Sequence, residues 1–315
     1  MCGVQAGFGE ADPASTGKIS RMGASLRDRR IGGRLVRYMD IGDSSAERVL
    51  VLIHAFPMGT AMWAPQLEAF PGWRVIAPAL PGFDGSDWAV MPGPLRPSTE
   101  GRGASSDVDG RGTKPAYAID AYADHVVAIL DDLGIERPVI GGLSMGGYVI
   151  FGLLRRAPDR ASALILADTR PSADSGDRLA ARRRTLDIVA TAGARGVADD
   201  MVPKLLSPRT HAGQPAVVAE VRRLIESQPA ATIAEATRAM MTRPESTALL
   251  VSVRVPTLII VGAEDVITTP ADAEGMRQAI PASQVVVIPG AGHMSNLEAP
   301  AAFNAAVRAF LSQLS

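Results

Sequence analysis

The chain has 315 residues, 47% of them hydrophobic and 21% charged, with a formal net charge of -1. That balance suits a soluble globular protein with one large core, or a core and a subdomain, and it argues against nucleic acid or an anionic membrane surface as partner. Cys2 is the only cysteine, so neither an intramolecular disulfide nor a thiolate metal cluster can form.

Residues 1–25 are rich in Gly, Ala and Ser and are expected to be disordered. They lack the unbroken apolar core of a signal peptide, and no apolar run in the chain is long enough to span a bilayer. A cytoplasmic location is the expectation. Residues 30–33 and 34–41 suit two strands of a hairpin around Gly32-Gly33. The apolar run 48–54 is too short for a helix and suits a strand buried on both faces. A helix is expected over 63–70 and a further strand over 73–78. Residues 88–114 are rich in Gly, Pro, Ser, Asp and Arg without periodicity, a composition that favours a loose loop over a lid. Ala123, Val126, Val127, Leu130 and Leu133 mark an amphipathic helix over 119–133, closed by Gly134.

Strands are then expected at 138–142, 163–167, 255–262 and 284–289, with a last helix over 300–314. Strand and helix in alternation predict an α/β fold with a mostly parallel central sheet flanked by helices. One segment departs from the alternation. Residues 171–250 carry helical patterns only, such as Val217, Val218, Val221, Leu224 and Ile225 on one face. They are read as a helical insert of about four helices, leaving 26–170 and 251–315 as the core.

Gly142-Leu143-Ser144-Met145-Gly146 lies between the strand over 137–141 and a helix over 147–156. A serine on so sharp a turn has its hydroxyl exposed, with flanking glycines removing side chains that would clash. A serine hydroxyl needs a base, an acid that orients the base, and donors for an oxyanion. Of the four histidines, His125 and His211 fall inside helices and read as structural or surface groups, and His54 ends a strand. His293 follows the last strand on the loop Gly290-Ala291-Gly292-His293, from which it can reach the carboxyl edge of the sheet. It is the candidate base. Asp265, just past the 255–262 strand, is favoured as the acid by position and by the order Ser, Asp, His. Asp168, past another strand end, competes with it, and a loop or cap role is its alternative. The candidate oxyanion donors are the backbone N–H groups of Met145 and of Phe56, since Pro57 has no N–H to give.

The chain resembles the α/β-hydrolase superfamily from about Arg30 to Leu314. The matching pieces are His54-Ala55-Phe56-Pro57, Pro81-Gly82-Phe83-Asp84-Gly85-Ser86, the Ser144 pentapeptide with Gly147, Gly262-Ala263-Glu264-Asp265 and Gly290-Ala291-Gly292-His293. Within it the chain is similar to the carboxylesterase and enol-lactonase-like branch, and that resemblance implies that the insert 171–250 is a helical cap after the sixth strand. The resemblance implies that His54 is a structural residue of the oxyanion loop. Ala55 departs from the usual glycine, Ala79 stands where aspartate is common, and the 88–114 insertion is long. Relatives of this fold with an aspartate nucleophile are excluded by Ser144, and no metal or organic cofactor has an evident site.

The expected protein is therefore a cofactor-free serine hydrolase of small to medium carboxylic esters. An enol-lactonase, a carbon–carbon bond hydrolase or a perhydrolase would use the same groups. A ligand receptor on the same fold is the non-enzymatic alternative, and a burst of p-nitrophenol from an activated ester distinguishes it. Met201, Leu205, Met240 and Met241 are the candidate substrate-binding residues on the underside of the cap. Oligomeric state is left open by the sequence.

Overall fold

Short apolar runs with no polar face can satisfy their backbones only inside a sheet, and the chain folds accordingly. The computed structural model describes residues 25–88 and 118–314. The expectations for 1–25 and 88–114 fall, apart from their end residues 25 and 88, outside those limits. In chain order the strands are β1 (Arg27–Ile31), β2 (Arg34–Ile41), β3 (Val49–Ile53), β4 (Arg74–Pro78), β5 (Val139–Leu143), β6 (Ala163–Ala167), β7 (Thr257–Gly262) and β8 (Ser283–Ile288). The helices are α1 (Ile119–Asp132), α2 (Met145–Arg156), α3 (Asp177–Leu205), α4 (Pro208–Gly213), α5 (Pro215–Glu226), α6 (Ala230–Met241), α7 (Pro270–Ala279), α8 (Ser295–Glu298) and α9 (Pro300–Leu311).

All eight strands form one sheet in the order β1-β2-β4-β3-β5-β6-β7-β8. β2 pairs antiparallel with β1 and β4, and every other neighbour is parallel. β3 to β7 are buried along their whole length, as strands covered on both faces must be. The chain leaves β3 toward β4 on one side and later returns to β5 on the other. Ligand sites in such sheets lie at that reversal, outside the carboxyl ends of the strands.

Most element ends shift by one to three residues from the sequence reading, and one expected helix is absent. The hairpin starts three residues earlier, at Arg27, and turns at Gly32-Gly33 as expected. No α-helix forms over 63–70. A 3₁₀ turn (Thr60–Trp63) is followed by single turns, with Gln66 N–H donating to the Trp63 carbonyl and Ala69 N–H to that of Gln66. Pro65 brings no N–H and Pro71 pushes Phe70 out of the helical region, so too little chain remains between them for a helix to propagate.

α3 to α6 occupy the chain between β6 and β7, and α3 is broken at Gly193, whose φ of 63° no helix contains. α3 packs against α5 and α6 through Val189, Val197 and Val202 on one side and Val221, Leu224, Ile233 and Ala236 on the other. Side chains from this insert fasten it to the loops of the sheet. Gln228 donates to Asp84 Oδ1 at 3.0 Å and accepts from the Asp84 N–H at 3.2 Å, and Thr232 Oγ1 donates to the Gly82 carbonyl at 2.8 Å. Among the described residues no helix is long and apolar enough to cross a membrane.

α1 carries His125 fully buried, with Nε2 donating to the Ala79 carbonyl at 3.1 Å. Burial pushes its pKa down to about 4, below the free value of 6.5. Because the folded value lies below the unfolded one, the unfolded chain takes up the proton first. The stability tied to a neutral His125 is intact above pH 6.5 and is lost as pH falls toward about 4. The shift corresponds to about 3 kcal/mol at most. His125→Gln, which keeps a donor for Ala79, should therefore lose less stability than the wild type between those pH values in urea titrations. Parallel pH curves for the two proteins would refute this.

Candidate active site

The strand ends place the candidate residues before any side chain is considered. His54 follows β3, Ser144 follows β5, Asp168 follows β6, Asp265 lies past β7 and His293 lies past β8, all at the carboxyl edge. Ser144 sits on the turn between β5 and α2 with φ 54° and ψ -109°. A Cβ on Gly142 would stand 2.4 Å from the backbone of Gly146, and one on Gly146 would stand 2.2 Å from the Ile53 carbonyl oxygen. Any larger residue at either position would force the turn open.

Ser144 Oγ lies 2.9 Å from His293 Nε2, and His293 Nδ1 lies 2.8 Å from Asp265 Oδ2. Asp265 also accepts from Thr268 Oγ1 at 2.6 Å and, through Oδ1, from the N–H groups of Ile267 and Thr268 at 2.8 and 3.0 Å. Burial opposes its charge, but His293 and the Thr268 bonds outweigh that and hold its pKa below the usual carboxylate value. An ionised Asp265 fixes the proton of a neutral His293 on Nδ1 and leaves Nε2 free to accept from Ser144.

The backbone of His293 is held as firmly as its ring. Its N–H donates to the Leu205 carbonyl at 3.0 Å, and the N–H groups of Gly292 and Met294 reach Glu298 Oε1 at 2.9 and 3.2 Å. The other oxygen of Glu298 accepts from Ser207 N–H and Thr210 Oγ1 at the start of α4. One buried carboxylate thus joins the His293 loop to the inserted helices. Thr169 Oγ1 supports the Ser144 turn, donating to the Ser144 carbonyl at 2.8 Å. Sequence reasoning misses Glu298 and Thr169, whose partners belong to the backbone or lie far away along the chain, and Thr268, whose hydroxyl reaches Asp265 three residues back without any motif to mark it.

Asp168, the competing acid, faces elsewhere. Its Oδ1 accepts from the Gly262 N–H at 2.8 Å and its Oδ2 accepts from Ser295 Oγ. Burial, and next the charge of Asp265, push its pKa well above the usual value. It bridges the loops that carry Asp265 and His293 without touching the imidazole.

His54 has both ring nitrogens occupied. Nε2 accepts from the Leu80 N–H at 3.1 Å, so the proton is on Nδ1, which donates to the Ala55 carbonyl at 3.0 Å. Burial lowers its pKa and keeps it neutral. The ring therefore clamps the loop after β3 to the segment after β4. Ala55 adopts no positive φ, so the alanine in place of glycine leaves this loop unstrained. Among the described residues neither the Phe56 N–H nor the Met145 N–H has an acceptor. His211 is exposed on α4.

The four candidates on the inserted helices fare differently. Leu205 is buried and joins the site through its carbonyl, on His293 and Met294. Met240 is buried in the helical packing, while Met201 and Met241 are half-buried. Met240 belongs to the hydrophobic core, and Met201 packs against it.

A mostly parallel sheet that offers serine, histidine and an acid in series at its carboxyl edge defines a hydrolase scaffold. A family model described as alpha/beta hydrolase fold matches residues 48–300. The chain belongs to the α/β-hydrolase family, in its enol-lactonase and esterase-like branch. It is 32% identical to 3-oxoadipate enol-lactonase 2 of Acinetobacter baylyi over 68% of this chain and 77% of that protein. It is 27% identical to 2-hydroxymuconate semialdehyde hydrolase of a Pseudomonas species over 87% of this chain and 90% of that one. The solved structure of a thermophilic esterase from Thermogutta terrifontis, with malate bound, superposes with a TM-score of 0.78 at 34% identity, covering 92% of this chain and 99% of that one.

Proposed function

We propose that the protein is a serine hydrolase that cleaves small to medium carboxylic esters through an acyl-enzyme, with Ser144, His293 and Asp265 as its triad. The observation that carries this reading is the unbroken series Ser144 Oγ to His293 Nε2 to Asp265, at 2.9 and 2.8 Å, beside two unpaired N–H groups. In the first half-reaction His293 Nε2 takes the Ser144 proton as Oγ bonds to the ester carbonyl carbon. The Phe56 and Met145 N–H groups donate to the resulting oxyanion. The imidazolium, held by ionised Asp265, then gives its proton to the departing alkoxide oxygen. In the second half-reaction a water gives a proton to Nε2 and its oxygen attacks the acyl carbon, and the collapse returns the proton to Ser144 and frees the acid.

The helices of 171–250 act as the cap over this edge of the sheet, with Leu205 joining cap to base and Met201, Met240 and Met241 shaping it. A second reading is favoured by one observation, the 32% identity to an enol-lactonase. A lactone is a cyclic ester, and the same steps open it with the leaving oxygen still attached to the acyl chain.

The test is a panel of p-nitrophenyl esters of rising chain length with lactones beside them, run with and without a fluorophosphonate. Ester or lactone turnover and labelling confined to Ser144 are expected. A protein that neither turns over any member nor takes the label would overturn the reading.

A further inference from the structure

Arg182 on α3, Arg170 after β6 and Arg243 after α6 gather around one acidic side chain, and Arg182 stands beside Phe56. The Asp174 side chain is fully buried, and its two oxygens are shared by Arg243 at 2.8 and 2.9 Å, Arg182 at 3.0 Å and Arg170 at 3.9 Å. Burial opposes the Asp174 charge, and Arg243 and Arg182 overcome it and hold its pKa below the usual range. Three guanidinium groups against one carboxylate leave a positive surplus, and Arg178 adds to the field at Arg170. Glu245, in the adjoining segment, is engaged by the N–H groups of Ala173, Ser246 and Thr247.

The three arginines differ in how their nitrogens are used. Arg243 gives its Nη groups to Asp174 and to the carbonyls of Met240 and Ser172, and its guanidinium lies 4.0 Å from the centroid of the Tyr148 ring on α2. Arg170 gives Nη1 to the Ile267 carbonyl at 2.9 Å. Both are committed to the fold. Arg182 donates only through Nε, to Asp174, and among the described residues its Nη1 and Nη2 have no acceptor. Its side chain keeps 18% exposure, and its Cζ stands 5.9 Å from the centroid of the ring of Phe56, whose own N–H is free. A guanidinium fixed at Nε presents its two outer nitrogens as a fork that fits a carboxylate. The uncompensated charge around it favours an anion there.

We propose that Arg182 is a specificity residue that receives a carboxylate carried by the substrate, so that the preferred esters or lactones are monoanionic derivatives of dicarboxylic acids. Asp174 and Arg243 position it. This inference rests on the hydrolase reading for its turnover consequences, and its binding consequence stands apart from turnover.

The experiment compares monomethyl succinate, glutarate and adipate with methyl butanoate, pentanoate and hexanoate, each half-ester matched to a neutral ester of the same acyl length. Wild type should favour the half-ester in at least one pair. Arg182→Gln should lower that ratio of kcat/KM values roughly tenfold or more, since a charge-assisted contact is lost from one member only. Arg182→Lys should restore part of it. Equal rates on both members at every length, or a ratio that Arg182→Gln leaves unchanged, would overturn the proposal. Calorimetric titration of glutarate into Ser144→Ala, with and without Arg182→Gln, reads the anion site when no ester is turned over. Binding that depends on Arg182 supports the site, and its absence in Ser144→Ala refutes it, while failure of the ester panel alone falls on the hydrolase reading.

Discussion

Ser144→Ala should lower kcat by roughly 10⁴-fold or more on any ester the protein accepts, leaving only what binding and the oxyanion donors contribute. Among the described residues the side chain meets a single hydrogen-bond partner, His293 Nε2 at 2.9 Å, so its removal should leave the fold intact. A companion variant separates chemistry from stability. Ser144 is held at φ 54° and ψ -109°, a region that costs a non-glycine residue on the order of 1–3 kcal/mol. Ser144→Gly relieves that strain and should melt no lower than Ser144→Ala, against the usual cost of glycine. Activity within tenfold of wild type in either variant would dismiss Ser144 as the nucleophile.

The Ser144 turn was legible in the sequence because its requirements are local. Gly142 and Gly146 are dictated by backbone atoms a few residues away or on the adjacent β3, and the strand and helix around them are continuous in the chain. Chain order placed Asp265 ahead of Asp168 for a similar reason, since the strand ends are visible as apolar runs. What escaped were contacts between distant segments. Glu298 meets Ser207 and Thr210 across the fold, and Arg182 meets Asp174 and Phe56, at spacings that no periodicity marks. The helix expected over 63–70 failed on two prolines whose effect outweighed the apolar pattern. Residue type alone points to the methionines of the insert, and burial shows Met240 to be packed within it.

Asp265→Asn should cost roughly 10³- to 10⁴-fold in kcat, and Asp168→Asn less than about tenfold. The difference follows from what each amide can replace. At position 265 the carboxylate accepts four bonds, two from the N–H groups of Ile267 and Thr268 and two at Oδ2 from Thr268 Oγ1 and His293 Nδ1. An asparagine oxygen can keep the first two, which leaves its NH₂ facing His293 Nδ1. That nitrogen must then accept, the imidazole proton moves to Nε2, and Nε2 can no longer take the Ser144 proton. At position 168 the amide loses little. Its oxygen can accept from the Gly262 N–H, and its NH₂ can donate to Ser295 Oγ. Burial and the Asp265 charge already favour the uncharged acid there, and asparagine imitates that form. The pH dependence gives a second reading of the same residue. A carboxyl whose folded pKa is raised contributes stability below its unfolded value, and that contribution is lost as pH rises through the folded one. Relative to wild type, Asp168→Asn should therefore gain stability as pH rises above about 4. Single-turnover kinetics and melting curves on the two variants check both statements. A larger kinetic loss at 168 than at 265 would make Asp168 the acid that orients His293.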